Sequence, residues 1–267
     1  MHWKRWLSGL VMAPGLILFI LYAPSWLFFL FILFLIFIGL QEFYRLSQRE
    51  VSSGQKTMAV LLAFLLAFSL YCPDPRGFPA GLIFVVLFTF IRALFQKEEL
   101  PLRVEQVSRH LLGLLYIAFL LGHFILLRRL DQGKMWILFT LVSVYFGDTT
   151  AFYVGRGWGK RKMAPLLSPN KTMEGGLGAV IGSMAGALFF RGFFFPELSF
   201  IAAGLLGAGI GAIGQLGDLF ESLLKRSANV KDSGALIPGH GGLLDRIDSV
   251  LFAAPLVYYS AWLIVLK

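Results

Sequence analysis

Long apolar runs separated by short polar breaks make up most of this chain, and the pattern predicts nine helices able to cross a bilayer. The first run, from Leu7 to Leu40, is too long for one crossing, and Pro24-Ser25 divides it into helices near 7–22 and 26–44. Further spans fall near 57–72, 78–95, 109–127, 135–155, 174–192, 198–217 and 249–266. A Pro73-Asp74-Pro75 turn separates the third from the fourth. The expected fold class is all-α, a polytopic integral membrane protein. It forms a single membrane domain over 1–267, with scaffold helices in 1–105 and the chemistry-bearing region in 145–250.

Residues 214–249 break the apolar pattern. Between two apolar helices they carry Asp218, Glu221, Lys225, Arg226, Lys231, Asp232, His240, Asp245, Arg246 and Asp248. Ionisable groups at a membrane are costly and mark function. No helix breaker occurs from about 198 to Ala228-Asn229. A helix of that length measures about 42 Å against a hydrocarbon core of about 30 Å, so its last turns leave the membrane. Asp218, Glu221 or Ser222, and Lys225 then share one face. Beyond it, Pro238 and the glycines at 239, 241 and 242 form a turn with open N–H groups suited to an anion. His240 in that turn can donate to phosphate or exchange a proton. Asp245 and Asp248 follow, one turn apart on the final helix.

Asp218, Asp245 and Asp248 form a sensible ligand set for one or two hard cations such as Mg²⁺, which take a few carboxylates together with substrate phosphates. The competing reading is an ion-pair network in which Lys225 and Arg246 neutralise the three aspartates; the glycine-rich turn beside them favours catalysis. Asp148, deep in the span 135–155, either faces a cavity or fixes helix packing. The stretch 155–176 reads as a basic loop, with Lys160, Arg161, Lys162 and Lys171. It ends on Thr172-Met-Glu174 at a helix start, where free N–H groups suit phosphate. Glycines through 174–217 allow close helix approach. The first 105 residues offer little chemistry: Glu42 reads as an interfacial residue near a helix end. Farther on, His110 and His123 read as hydrogen-bonded structural histidines.

Composition agrees with a membrane protein. The chain is 57% hydrophobic and 15% charged, with a mean hydropathy of +0.75, where soluble domains carry about 25% charged residues. The single Cys72 excludes an intramolecular disulfide and a thiolate metal cluster. A net charge of +9 raises nucleic acid as a partner, but no basic stripe with interleaved aromatics accompanies it, so none is expected. Counting alternate loops from the N-terminus, 18 of the 24 Lys and Arg fall on one side. That bias places the N-terminus and residues 214–249 in the cytoplasm.

The run Ser222-Leu-Leu-Lys225-Arg226, then Lys231-Asp232, then Pro238-Gly-His240-Gly241-Gly242-Leu-Leu-Asp245-Arg246-Ile-Asp248 resembles the signature of phosphatidate cytidylyltransferases, also called CDP-diacylglycerol synthases. Ser168-Pro-Asn-Lys171-Thr172-Met-Glu174-Gly175 is similar to a second block of that family, with Asn170 and Met173 departing from its usual residues. The resemblance covers about 145–250 and implies transfer of a cytidylyl group from CTP to phosphatidate, giving CDP-diacylglycerol and pyrophosphate, with Mg²⁺ and a second cation as cofactors. It implies cation ligation by Asp218, Asp245, Asp248 and Asp148, and catalysis by Asp218, Lys225, Asp245 and Asp248. Phosphate contacts fall to Lys171, Lys225, Arg226, Lys231 and Arg246, with His240, Gly241 and Gly242 in the turn; Ser168, Thr172 and Glu174 would position the nucleotide or its loop. A homodimer in the bacterial cytoplasmic membrane, with its site facing the cytoplasm and membrane lipid as partner, is implied too. Two other readings stand beside it. A CTP-dependent lipid-alcohol kinase would release CDP in place of pyrophosphate, and a transporter would move substrate without nucleotide turnover.

Overall fold

The structure is a computed structural model and describes residues 13–46, 51–74, 76–234 and 241–265. Helix α1 (Ala13–Tyr22) meets α2 (Ser25–Arg45) at Pro24, whose carbonyl accepts the N–H groups of Leu27 and Phe28 and so opens α2. Next comes α3 (Ser53–Tyr71), started by a reciprocal Ser52–Gln55 capping box, and then α4 (Gly77–Leu94). A long helix, Leu100–Arg129, runs as α5 (Leu100–Gly113), a π-helical turn (Leu114–Phe119) and α6 (Leu120–Arg129). The second half holds α7 (Gly133–Trp158), α8 (Met173–Phe194), α9 (Phe200–Ser227) and α10 (Leu244–Val265).

Among the described residues eight helices are long and apolar enough to span a membrane, Leu100–Arg129 counting as one. The ninth sequence-expected span, 7–22, is described only from Ala13, and that portion is too short to cross. The unbroken length of the long helix is present: α9 continues without interruption to Ser227. One expectation needs refinement. Within 155–176 the chain is not simply a loop, because β1 (Lys162–Ala164) and β2 (Ser168–Thr172) pair antiparallel, Lys162 opposite Thr172 and Ala164 opposite Ser168. The Leu167 N–H to Ala164 carbonyl bond closes the connecting turn.

Apolar side chains of α2, α3, the π-helical turn and α10, among them Ile36, Leu40, Leu66, Ile117 and Leu251, form one core. On α3 and α4, Leu61, Phe68, Ile83 and Phe84 point outward, as lipid-facing walls do. His110 and His123 each place Nδ1 2.8 Å from the carbonyl one turn back, on Gln106 and Phe119, in keeping with structural roles. At one end of the bundle, Lys134 donates to the Leu21 carbonyl at 2.6 Å and Arg129 to that of Cys72 at 2.7 Å, while Arg128 donates to Ile20 and Ala23. Cations thus satisfy the open carbonyls that end α1 and α3.

Glycines set how closely the second-half helices meet. A Cβ at Gly211 would sit 2.7 Å from the Ala179 carbonyl oxygen and 2.7 Å from Val180 Cα, so α8 and α9 touch backbone to backbone. A Cβ at Gly217 would come within 2.5 Å of the Asp248 carbonyl oxygen. That second approach draws α9 against α10 at the level where each contributes an aspartate.

Candidate active site

A cavity of about 640 Å³ opens between α7, the hairpin, the start of α8, α9 and α10. Its wall carries Asp148, Asp218, Glu221, Asp245 and Asp248, opposed by Arg156, Lys171 and Lys225. Five carboxylates against three cationic side chains leave an excess of negative charge in a partly enclosed space. Such an excess suits a bound cation.

Each side chain is placed by a local device. Asp218 follows the close contact at Gly217 and pairs across the cavity with Lys171 of β2, whose Nζ lies 2.5 Å from Oδ2. The hairpin that carries Lys171 is itself tied down at three points. Glu174 accepts the backbone N–H groups of Lys160 and Arg161 at 3.0 and 3.2 Å; Arg226 donates to the Leu167 carbonyl at 3.2 Å; the Arg161 carbonyl accepts the Met173 N–H at 2.8 Å. Thr172 caps α8, its Oγ1 accepting the Gly175 N–H at 3.1 Å. The Thr172 hydroxyl, expected from the resemblance to position the nucleotide or its loop, is engaged in holding the helix start.

Lys225 sits between two carboxylates. Its Nζ donates to Asp245 Oδ1 at 2.7 Å and forms an ion pair with Glu221, one turn back on α9. Asp245 Oδ2 in turn accepts the Ser233 N–H at 3.0 Å, the Ser233 hydroxyl at 2.9 Å and the Gly242 N–H at 2.9 Å. Gly241 turns the chain here with φ +82°, a left-handed conformation, and a Cβ on it would crowd Asp245 Oδ2 at 2.9 Å. Asp248 accepts the Ser249 N–H at 2.8 Å, and the Ser249 hydroxyl donates weakly to Asp148 at 3.5 Å.

One three-carboxylate grouping stands out among the described residues: Asp218, Glu221 and Asp248 each offer an oxygen within 4.8 Å of the others. Glu221 is fully buried, and its Oε1 has no hydrogen-bond partner among the described residues. A buried carboxylate oxygen with no donor, in a cluster of three, fits a hard cation.

Of the residues singled out from sequence, Asp148, Lys171, Thr172, Asp218, Lys225, Asp245 and Asp248 line the cavity. Ser168, Glu174, Arg226, Lys231, Gly241, Gly242 and Arg246 do not. Ser168 is a hairpin-pairing residue. Arg226 spends its guanidinium on the Leu167 and Val230 carbonyls, and Lys231 and Arg246 are exposed. Gly241 and Gly242 shape the approach to Asp245, and His240 lies outside the described residues. Sequence reasoning did not assign Gln215, Glu221, Ser249 or Arg156 to the site, though all four line it.

Its clearest miss is Glu42. Read as interfacial, it is buried at 2% exposure and reaches across to the chain before α10. Oε1 accepts the Leu243 N–H at 2.9 Å, Oε2 accepts the Leu244 N–H at 2.9 Å, and the Ser233 hydroxyl lies 3.2 Å from Oε2. Two free N–H groups at a helix start attract a carboxylate, which explains the burial.

Residues 3–264 match the cytidylyltransferase family. The chain is 34% identical over 261 residues to a phosphatidate cytidylyltransferase of Bacillus subtilis (strain 168), covering 96% of each chain. It is 32% identical over 268 residues to the phosphatidate cytidylyltransferase of Synechocystis sp., covering 90% of each. A third relative of that name, from Thermotoga maritima, is 30% identical over 222 residues, 81% of each chain.

Proposed function

The chain belongs to the cytidylyltransferase family, and from that membership together with the cavity we propose that it transfers a cytidylyl group from CTP to phosphatidate, forming CDP-diacylglycerol and pyrophosphate. The observation that carries the reading is a cavity walled by five carboxylates and three cations at one end of a multi-pass helical bundle. A polyanionic nucleotide enters such a wall only with compensating positive charge, and a lipid headgroup reaches it from the membrane surface.

In this reaction a phosphatidate phosphate oxygen attacks the α-phosphorus of CTP. A new P–O bond forms to that phosphorus, the bond to the bridging oxygen of the β-phosphate breaks, and pyrophosphate leaves with the electron pair. The attacking oxygen is already anionic, so no general base is required; the protein's work is alignment and charge neutralisation. Asp218, Glu221 and Asp248 would hold a divalent cation such as Mg²⁺, with Asp148 and Asp245 extending the donor set toward a second. When bound, such an ion screens the phosphates and polarises the reacting phosphoryl group. Lys171 and Lys225, each paired to a carboxylate, are placed to exchange that partner for a phosphate oxygen, and Arg156 at the cavity wall adds a third cationic contact. Asp245 keeps Lys225 aimed.

On the loop-charge bias the site faces the cytoplasm of a bacterial cell, where CTP is made, with the protein in the cell membrane; the homodimer that the family resemblance implies belongs to the same proposal. The test incubates purified protein with α-labelled CTP, phosphatidate and Mg²⁺. Lipid-linked CDP and stoichiometric pyrophosphate are expected. CDP release with a phosphorylated lipid would assign a kinase instead, and no nucleotide turnover at all would overturn the reading.

A further inference from the structure

Glu42 lies on the helix α2 scaffold and does not line the cavity, yet it is bound to the segments that do. Its two oxygens take up the N–H groups of Leu243 and Leu244 and meet the Ser233 hydroxyl. Those contacts fall on both sides of residues 235–240, so one side chain ties together the chain that leaves α9 and the chain that enters α10. The neighbouring backbone is shaped to admit it. A Cβ at Gly234 would sit 2.7 Å from Glu42 Oε1, and one at Gly242 would sit 2.6 Å from Oε2. Either would push the carboxylate out of place.

Ser233 links this buried carboxylate to the cavity. Its hydroxyl is 3.2 Å from Glu42 Oε2 and 2.9 Å from Asp245 Oδ2, and its N–H also donates to Asp245. Gly242 donates to the same Oδ2, one residue before Leu243 binds Glu42. Asp245 is therefore oriented on one oxygen by Ser233 and Gly242, two residues whose neighbours or side chain Glu42 holds. Its other oxygen is left for Lys225.

We propose that Glu42 is a positioning residue for the transfer reaction: it acts through Ser233 and the start of α10 to fix Asp245, and through Asp245 the direction of Lys225. The inference rests on the proposed transfer reaction for its kinetic part and on geometry alone for its structural part. A glutamine at this position has the same size but turns an NH₂ toward one of the two N–H donors, so one contact becomes donor against donor.

The test uses the full chain in detergent and in lipid vesicles, as parent, Glu42→Gln, Ser233→Ala and the double variant. Hydrogen exchange reads the structural part without any catalysis. Glu42→Gln is expected to speed exchange in described residues 229–234 and 241–248 while leaving α7 and α8 at parental rates; unchanged exchange in those segments overturns the proposal. Turnover per folded molecule reads the kinetic part. Glu42→Gln is expected to lower kcat by about tenfold or more, as loss of an outer-sphere hydrogen-bond partner does, with the KM for CTP near parental. The double variant is expected to lose little beyond Glu42→Gln, because both changes cut one route. Independent, multiplying losses overturn that route. Should Glu42→Gln fail to fold, Ser233→Ala decides: parental kcat there reduces Glu42 to a structural residue and overturns the proposal, and a severalfold loss in folded protein supports it. A parent chain that makes no CDP-lipid refutes the proposed function instead, and the exchange result still tests the clamp.

Discussion

Lys171 Nζ and Asp218 Oδ2 meet at 2.5 Å across the cavity, joining the β-hairpin to α9. Neither belongs to the other's helix or turn, so the pair fixes how the hairpin sits over the carboxylate wall. Both side chains are partly shielded, at 17% and 31% exposure, so solvent and salt screen the pair less than a surface salt bridge. Removing the lysine leaves the five-carboxylate wall with one cation fewer. Lys171→Ala is expected to lower kcat/KM for CTP by about 10- to 100-fold, about 1.4 to 2.7 kcal/mol of transition-state stabilisation. Steady-state kinetics at saturating phosphatidate check it, and parental kcat/KM would remove Lys171 from the phosphate contacts.

Asp218 and Asp248 are held side by side because Gly217 lets α9 press against the α10 backbone. Replacing either carboxylate by its amide keeps the shape and deletes one anionic ligand. Asp218→Asn and Asp248→Asn are each expected to lose more than about 99% of transfer activity, as loss of a ligand to a cation that would screen the reacting phosphates does. Their thermal unfolding should stay near parental. Titrating Mg²⁺ against activity separates the causes: a raised half-activating concentration identifies a ligand, whereas loss of activity at parental Mg²⁺ dependence points away from ligation.

How much of this was legible in the sequence follows from how local each signal is. Span positions were readable because each depends on one contiguous apolar run, and the length of α9 followed from the distance between helix breakers. The cavity aspartates were readable because carboxylates beside apolar helices stand out against their surroundings. The hairpin was not, since strands of three and five residues containing Pro169 and Lys171 show no alternating pattern, and pairing rather than composition creates them. Glu42 was missed although the rule that drew attention to Asp148 applied equally: it is the only acidic residue of α2. Its partners lie some 200 positions away, and no spacing within α2 announces them.

The contact between α8 and α9 predicts a stability effect at a residue that does not itself line the cavity. At Gly211 a methyl group would lie 2.7 Å from the Ala179 carbonyl oxygen, and backbone on a packed helix cannot yield cheaply. Gly211→Ala is expected to cost about 1 to 3 kcal/mol by overpacking. Gly157→Ala has nothing within 4 Å of the new methyl group and serves as the comparison. Thermal unfolding in one detergent should place Gly211→Ala below parent and Gly157→Ala near it; equal midpoints would mean that α8 and α9 are not in backbone contact.

Lys225 lies between Glu221 and Asp245 with only 13% of its side chain exposed, and Glu221 is fully buried. Deleting the cation strands two carboxylates in a poorly solvated space, where breaking a buried pair costs about 3 to 5 kcal/mol. Lys225→Met is therefore expected to lower the unfolding midpoint and abolish transfer together. Adding Glu221→Gln to that variant removes one stranded charge, and the double variant should regain part of the lost stability. Activity should not return, because both the proposed phosphate contact and one carboxylate of the proposed cation site are then gone. Unfolding midpoints and transfer rates measured on the same preparations test the two halves separately. If activity returned with stability, Lys225 would be a structural counter-ion, and the work of neutralising the nucleotide would fall to Lys171 and Arg156.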